Sequence, residues 1–250
     1  MCRLRFLCLQ SRKNQIIVPE QLPLQFEFQS NQKFNTFYPA DNQEVITHLK
    51  NILINDDLLT FLWGEPATGK THLLQATSLE SSALDQSTFY FSLNKLTLPS
   101  ADMLNGLESF DLVCFDNIEQ ISGNDEWEQA FFNFFNCHRD ANKRLLLSAS
   151  CPPKFLDMQL PDLKTRMAWG LTLKLAPLNE QQQLQALIYK AHELGFEVPL
   201  NVGRFLMTHY ARDLPSIWSL LQQIEQATLA AQRKLTIPFL KQIMSTSDNQ

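Results

Sequence analysis

The sequence predicts an α/β fold, a five-stranded parallel sheet with helices on both faces, followed by a small all-helical unit. Short apolar runs, each apolar enough to be a buried strand, alternate with stretches of helical periodicity as far as Pro177, after which every periodic stretch is helical. The intervening stretches are long enough for the crossover helices that parallel strands require. The predicted strands are Leu59–Trp63, Thr88–Ser92, Leu112–Asp116, Leu145–Ala149 and Leu171–Leu175.

The stretch after Pro177 predicts helices with recognisable ends. Asn179 is a residue type that caps helix N-termini, and Gly195 is one that ends helices, so the first helix is predicted over 180–194. Further helices are predicted over 200–210, 213–232 and 236–244.

Three segments follow from this pattern. Residues 1–33 are polar and irregular, with Pro19, Pro23 and many glutamines, and are predicted to form a flexible N-terminal arm. Residues 34–176 are predicted to form the α/β domain, and residues 177–245 the helical domain.

Composition restricts the class of protein. With 44% hydrophobic and 19% charged residues among 250, the chain has the composition of a soluble globular protein, and no stretch approaches the roughly 18 apolar residues of a membrane span. Five cysteines without regular spacing favour reduced thiols in the cytoplasm. A net charge of -5 argues against bulk adhesion to nucleic acid, although a local basic patch stays compatible with it.

The segment GEPATGKT, from Gly64 to Thr71, matches the phosphate-binding loop pattern at every fixed position. Its glycines let backbone N–H groups turn toward a phosphate, Lys70 can reach the β- and γ-phosphates, and the Thr71 hydroxyl can hold Mg²⁺. An ordinary glycine-containing turn is the alternative, but a predicted strand precedes the segment and a predicted helix follows it. The predicted nucleotide-binding residues are Gly64, Pro66, Ala67, Thr68, Gly69, Lys70, Thr71 and His72.

A nucleotide site of this class also needs an acidic residue at the end of a neighbouring strand. Asp116 ends an apolar predicted strand, and sites of this class use such a carboxylate, with Thr71, to hold Mg²⁺ through its water shell. Many ATPases have a glutamate directly after this aspartate, whereas here Asn117 follows and Glu119 comes two residues later. Because an amide cannot act as a general base near neutral pH, we expect slow hydrolysis by the chain alone.

Seven motifs follow one another along the chain: Phe37-Tyr38-Pro39, GEPATGKTHLL, LVCFDNIE, LLLSASCPPKFL, LPDLKTRMAWG, ARDLPSIWSLL and QRKLTIPFLKQI. In this order they resemble the motifs of the AAA+ ATPases of the DnaA branch, and within it those of the Hda-type regulatory inactivators of DnaA. The resemblance extends from about Gln21 to Met244 and implies a P-loop AAA+ fold with a helical lid, and ADP or ATP with Mg²⁺ as cofactor.

The same resemblance implies roles for four further residues. Ser148 and Ser150 fall where the sensor-one polar residue follows the fourth strand. Arg166 is similar in position to the arginine finger, which reaches a nucleotide held by a neighbouring subunit, and Arg212 to the sensor-two arginine, which contacts phosphates in the same chain. The alternative for either arginine is a solvated surface side chain.

The predicted arm contains a short apolar motif, QLPLQF, at residues 21–26. It resembles the peptide with which replication proteins dock on the DNA polymerase III sliding clamp, and a linker with incidental leucines is the alternative. The clamp-binding residues implied by the resemblance are Gln21, Leu22, Leu24 and Phe26.

Together these features imply a regulator of replication initiation. An ADP-bound chain, docked on the DNA-loaded clamp, would present Arg166 to ATP held by DnaA and promote its hydrolysis, which prevents re-initiation. The implied partners are DnaA, the clamp, DNA through the clamp, and further copies of the chain; no membrane contact is expected.

Two alternatives belong to other functional classes. A DnaA-like initiator or helicase-loading ATPase would engage DNA itself, but we expect no helix-turn-helix domain, since few residues follow Met244. A small-molecule kinase would use the same phosphate loop, but it leaves the clamp-like motif and the lid unexplained.

Two side-chain clusters are interpreted as packing. Phe131, Phe132, Phe134 and Phe135 lie at helical spacing and predict a helix covering the sheet, with a base-stacking platform as the alternative. Cys137 and His138 lack the other ligands of a zinc site and are likewise expected to pack in the interior.

Overall fold

The computed structural model of the protein describes residues 32–210 and 214–247, and a five-stranded, all-parallel sheet forms its centre. The strands lie in the order β2-β3-β4-β1-β5, which confirms the predicted fold class. Three strands have the predicted bounds, β4 begins one residue earlier than predicted, and β5 ends one residue earlier. The strands are β1 (Leu59–Trp63), β2 (Thr88–Ser92), β3 (Leu112–Asp116), β4 (Arg144–Ala149) and β5 (Leu171–Lys174).

Burial differs between the middle and the edge of the sheet. Every residue of β3 is buried, whereas β5 alternates between half-buried and exposed residues. The expectation of five buried strands is therefore wrong for β5, because among the described strands it pairs with β1 alone and lies at the edge of the sheet.

Helices cover both faces of the sheet, and alternate residues of β1 to β4 point into two separate cores. Phe61 and Phe115 lie in the core beneath α3 and α4, while Leu62 and Cys114 lie in the core beneath α1 and α2. These helices are α1 (Gln43–Lys50), α2 (Lys70–Ala83), α3 (Asp125–Asp140) and α4 (Pro161–Met167).

The phenylalanine cluster of α3 is core, as predicted, with one exception. Phe131, Phe134 and Phe135 are buried against the sheet, but Phe132 is half-buried and its ring lies beneath the Arg166 guanidinium. Cys137 is exposed, so the expectation that it packs in the interior is wrong; it lies on the solvent side of α3.

The C-terminal part folds as a helical unit around its own apolar core. Asn179 caps its first helix: its side chain accepts the Gln182 N–H at 2.9 Å, and the Gln182 side chain accepts the Asn179 N–H at 3.0 Å. Gly195, at φ +86°, follows the end of that helix. The helices are α5 (Glu180–Glu193), α6 (Leu200–His209), α7 (Leu214–Ala231) and α8 (Ile237–Ser247).

The parallel arrangement fixes where functional side chains meet. Because all strands point the same way, their carboxyl ends share one edge, where Trp63 is paired with Ala149 and Ser92 with Asp116. Across the described part of the chain, no helix has the length and apolar composition needed to cross a bilayer.

Candidate nucleotide-binding site

The phosphate loop joins the end of β1 to the first turn of α2. Gly69 precedes α2 at φ +98° and Ala67 has φ +62°, both in the left-handed region. A non-glycine residue costs about 1–2 kcal/mol there, so the conformation of Ala67 is a local strain held by the surrounding fold. A Cβ on Gly64 would come within 2.8 Å of the Leu175 carbonyl oxygen, and one on Gly69 within 2.6 Å of the Phe37 ring.

Lys70 lies at the centre of this loop with 8% of its surface exposed. Its ammonium donates hydrogen bonds to the carbonyl oxygens of Gly64, at 2.8 Å, and Glu65, at 2.9 Å. Burial lowers the pKa of Lys70, while the carboxylates of Glu119 and Asp116 act in the opposite direction. The loop therefore holds the positively charged Lys70 side chain directly against its own backbone.

Asp116 lies fully buried at the end of β3, and three hydroxyl groups donate hydrogen bonds to its carboxylate. Thr71 donates to Oδ2 at 2.6 Å, Tyr90 donates to Oδ2 at 3.5 Å, and Ser148 donates to Oδ1. Burial raises the pKa of Tyr90, which keeps its hydroxyl a donor. The structure thus brings together the predicted magnesium pair, Thr71 and Asp116.

The structure separates the two candidate sensor-one serines. Ser148 is buried in β4, where its hydroxyl also accepts the Asn117 N–H at 3.0 Å, whereas Ser150 is exposed beyond the strand. The contact made by Ser150 uses its backbone, since its N–H donates to Glu119 Oε1 at 3.0 Å. Ser148 is therefore the residue that touches the acidic centre.

The residues after Asp116 offer little for activating water. Asn117 has φ +60°, and its side-chain amide donates to Ser92 Oγ at 3.3 Å. Glu119 uses Oε1 for Ser150, and its Oε2 is buried without a hydrogen-bond partner among the described residues.

A cavity of about 530 Å³ opens beside the loop, within the usual size range of ligand pockets. Predicted residues form one wall, from Pro66 through His72, together with Asn117. The remaining lining residues come from the segment 36–38 and from the C-terminal helices. Phe37, Tyr38 and Trp218 belong to motifs quoted above, but the sequence analysis assigned none of these lining residues to the nucleotide site. They include Thr36, Phe37, Tyr38, Tyr189, Lys190, Trp218 and Gln222.

The segment 33–38 is fixed between the loop helix and α5. The Lys33 carbonyl lies 2.8 Å from His72 Nε2, and the ring centroids of Phe37 and His72 are 5.3 Å apart. On the other side, the Tyr189 hydroxyl donates to the Asn35 carbonyl. Burial lowers the pKa of His72 to about 4, so the ring is neutral and Nε2 carries its proton. His72 thus holds the cavity wall in place.

Three groups of predicted residues are not among the described residues that line this cavity. Arg166, on α4, is not among the described residues that line it, and its guanidinium lies 4.3 Å from the Phe132 ring centroid. Arg212 and the motif at 21–26, with Gln21, Leu22, Leu24 and Phe26, fall outside the residues that the structure describes.

The site fits a nucleotide with a divalent cation. Gly64 and Gly69 lie so close to Leu175 and Phe37 that the loop backbone has no space for a Cβ there, and Lys70 supplies positive charge within the loop. Over 32–210 and 214–247, no three His, Cys, Asp or Glu side chains gather into a metal site of their own, so a cation would be held by Asp116, Thr71 and the nucleotide phosphates.

Family models match most of the chain. The model "Bacterial DnaA ATPase domain" matches residues 29–174, more than half of the 250 residues. The chain belongs to the bacterial DnaA ATPase family. The model "Hda, lid domain" matches residues 180–244, so the helices α5 to α8 of this DnaA-family protein form the lid of an Hda-type AAA+ protein.

Solved structures share the fold of this DnaA-family chain. Domain III of Thermotoga maritima DnaA is 18% identical with a TM-score of 0.69, and the match covers 86% of this chain and 96% of that one. AMPPCP-bound DnaA from Aquifex aeolicus is 22% identical with a TM-score of 0.64, and the match covers 78% of this chain and 65% of that one. The Thermotoga maritima RuvB Holliday junction branch migration motor is 14% identical with a TM-score of 0.61, and the match covers 86% of this chain and 73% of that one. The chain spans 64% to 65% of three of the solved chains that it matches, two of them titled as DnaA and one as a DNA replication initiation factor.

Proposed function

We propose that this DnaA-family protein regulates the initiation of chromosomal replication by stimulating hydrolysis of the ATP that DnaA holds. The proposal rests on a contrast between the chain's own nucleotide site and the position of Arg166. The chain has the residues to bind a nucleotide and Mg²⁺ but has an amide directly after Asp116, while Arg166 lies on α4 outside its own cavity.

The chain's own nucleotide has a structural role in this proposal. The Asn117 amide cannot take a proton from water, and in Glu119 Oε1 already accepts the Ser150 N–H while Oε2 is buried. When bound at Asp116 and Thr71, Mg²⁺ would neutralise charge on the phosphate oxygens. With slow turnover, ADP is the resting ligand, and it fixes the lid against the α/β unit.

Arg166 is the group proposed to act on the partner. Its guanidinium has no salt bridge or hydrogen bond to any described residue, and it is held by ring stacking on Phe132. Stacking positions a guanidinium without neutralising its charge. Such a cation, placed near the γ-phosphate of ATP in DnaA, stabilises the negative charge of the transition state.

The motif at 21–26 is proposed to tether the chain to the sliding clamp. An extended peptide would place Leu24 and Phe26 in an apolar pocket of the clamp, with Gln21 at its rim. Tethering raises the local concentration of the regulator near newly replicated DNA. The protein would thus be cytoplasmic and associated with the nucleoid through the clamp.

Replacing Arg166 tests the proposal. Purified Arg166→Ala is mixed with ATP-loaded DnaA and DNA-loaded clamp, and ATP hydrolysis is followed in single turnover. We expect at least about a hundredfold loss of stimulation, since an arginine finger contributes about 10³ or more to the rate. Arg233→Ala is the matched control, because Arg233 also stacks on a ring, that of Phe239 at 4.5 Å, but lies on the lid.

Two readouts separate this result from misfolding. Nucleotide released from denatured Arg166→Ala, identified by mass spectrometry, should match that of the unmodified chain, and clamp binding should be unchanged. Full stimulation by Arg166→Ala would refute the proposed function.

A DNA-engaging ATPase is the second candidate. A structure titled as the initiator DnaA bound to AMPPCP and single-stranded DNA has this fold, with a TM-score of 0.64 and 23% identity. Salt-dependent binding of a single-stranded oligonucleotide by the purified chain, measured by fluorescence anisotropy with and without nucleotide, would favour this second candidate.

A further inference from the structure

An exposed tryptophan lies beside Arg166. Trp169 follows α4 and has 60% of its surface exposed. The guanidinium of Arg166 lies 5.5 Å from its ring centroid, and that of Arg139, on α3, lies 5.9 Å from it. We call Trp169, Arg166, Arg139 and Phe132 the Trp169 surface.

The two arginines of this surface differ in charge balance. The Arg139 Nη2 donates to Asp140 at 2.7 Å, so a carboxylate offsets its charge. The Arg166 guanidinium contacts both the Phe132 and the Trp169 rings, no carboxylate forms an ion pair with it in the described ranges, and its Nη1 is buried there with no hydrogen-bond partner. The side chain as a whole is half-buried, so the accessible part of this guanidinium presents a positive charge that an anionic group of a partner would complement.

The composition of the Trp169 surface is that of a protein interface. Tryptophan and arginine are the residues most enriched among those that dominate binding energy, and a large exposed indole next to fixed cations is a typical anchor. A free phosphate would satisfy Arg166 but would leave the Trp169 ring exposed. A protein surface that carries an anionic ligand satisfies both groups.

We propose that the Trp169 surface docks on the nucleotide-bearing face of the DnaA ATPase, with Trp169 as the anchor and Arg166 as the group that reaches the nucleotide. This proposal rests on the proposed function and divides it between two neighbouring residues. Trp169 supplies affinity for the partner, and Arg166 supplies stabilisation of the transition state.

These separate roles predict that replacing Trp169 weakens binding to DnaA but leaves the maximal rate of ATP hydrolysis nearly unchanged. Increasing concentrations of Trp169→Ala are added to ATP-loaded DnaA, and the rate of hydrolysis of the DnaA-bound ATP is measured. Binding to DnaA loaded with a non-hydrolysable ATP analogue is measured directly by biolayer interferometry. We expect Trp169→Ala to raise the half-saturating concentration at least about tenfold, as for an interface anchor, with the maximal rate changed less than about threefold. Trp169→Phe keeps a ring and should restore most of the affinity.

Controls separate docking from folding. Leu229→Ala removes another exposed apolar side chain, 68% exposed on the lid, and should leave both parameters unchanged. Thermal unfolding of Trp169→Ala should stay close to that of the unmodified chain, since the ring is largely exposed.

The outcomes discriminate the two proposals. If Trp169→Ala binds and stimulates DnaA like the unmodified chain, or if it alters only self-association in sedimentation, the docking proposal is overturned. If the unmodified chain binds DnaA through Trp169 but never stimulates hydrolysis, docking stands and the proposed function fails. If the unmodified chain does not bind DnaA, both fail.

Discussion

The Thr71 hydroxyl donates a 2.6 Å hydrogen bond to Asp116 Oδ2, joining the first turn of α2 to the end of β3. Hydroxyl and carboxylate oxygens are ligands that Mg²⁺ accepts, and here they already lie within contact of each other. The two elements that carry them belong to neighbouring layers of one core, which fixes their separation.

Asp116→Asn tests whether this pair holds the cation. The amide keeps the size of the side chain but removes its charge, so we expect the Mg²⁺-dependent part of nucleotide affinity to fall at least about tenfold. Isothermal titration with ADP, in Mg²⁺ and in EDTA, measures that part. Asp56→Asn, at an exposed position, is the control, and an unchanged Mg²⁺ effect in Asp116→Asn would contradict the assignment.

Ser148→Ala should destabilise the fold, whereas Ser150→Ala should not. The first change removes a donor to Asp116 and the acceptor of the Asn117 N–H, leaving two polar groups unsatisfied at a cost of about 2 kcal/mol or more. The second leaves its backbone contact with Glu119 intact and should change stability by less than about 0.5 kcal/mol. Urea unfolding measures both, and equal effects would argue against the buried role of Ser148.

Gly69→Ala and Gly106→Ala form a matched pair. Both glycines have left-handed backbones, at φ +98° and +89°, so each alanine costs about 1–2 kcal/mol in strain. A Cβ on Gly106 meets nothing within 4 Å, whereas one on Gly69 would lie 2.6 Å from the Phe37 ring. Chemical unfolding should therefore show a larger loss for Gly69→Ala, and combining it with Phe37→Ala should recover the difference.

His72 should make stability depend on pH. Its folded pKa is about 4, and its unfolded value is about 6.5, so between these pH values the unfolded chain binds a proton that the folded chain does not. The unfolding free energy therefore falls as the pH is lowered through this window.

His72→Gln isolates that contribution. Glutamine can still donate to the Lys33 carbonyl but does not titrate, so the drop in unfolding free energy between pH 7 and pH 5 should shrink by about 2 kcal/mol. Burial also lowers the pKa values of His48 and His138, and these contributions remain in both chains. A drop in His72→Gln equal to that of the unmodified chain would contradict the prediction.

The sheet and the phosphate loop could be predicted because their signals are local. Each strand is one apolar run, and the loop pattern specifies its own backbone, so Leu59–Trp63 and the start of α2 follow from a few adjacent letters. Choosing Ser148 over Ser150 needed more than local spacing. It required the register of β3 with β4, in which Phe115 is paired with Leu147 and the next residues, Asp116 and Ser148, come into contact.

The far wall of the cavity could not be predicted for a related reason. Tyr189, Lys190 and Trp218 lie on lid helices whose periodicity indicates only which face packs in the lid core. Their place beside the phosphate loop depends on how α5 and α7 meet residues more than 100 positions earlier. Phe132 presents the same difficulty, since four phenylalanines at helical spacing do not show which of them meets an arginine of α4.

The cavity lies between two units that have separate apolar cores. Polar contacts join these units, including Asp41 with Gln182 and the Asn35 carbonyl with the Tyr189 hydroxyl. A ligand that touches both walls adds its binding free energy to the folded state of each unit at once. Unfolding of the sheet and of the lid is therefore expected to become one cooperative transition when nucleotide is bound, and the bound nucleotide would act as part of the tertiary structure.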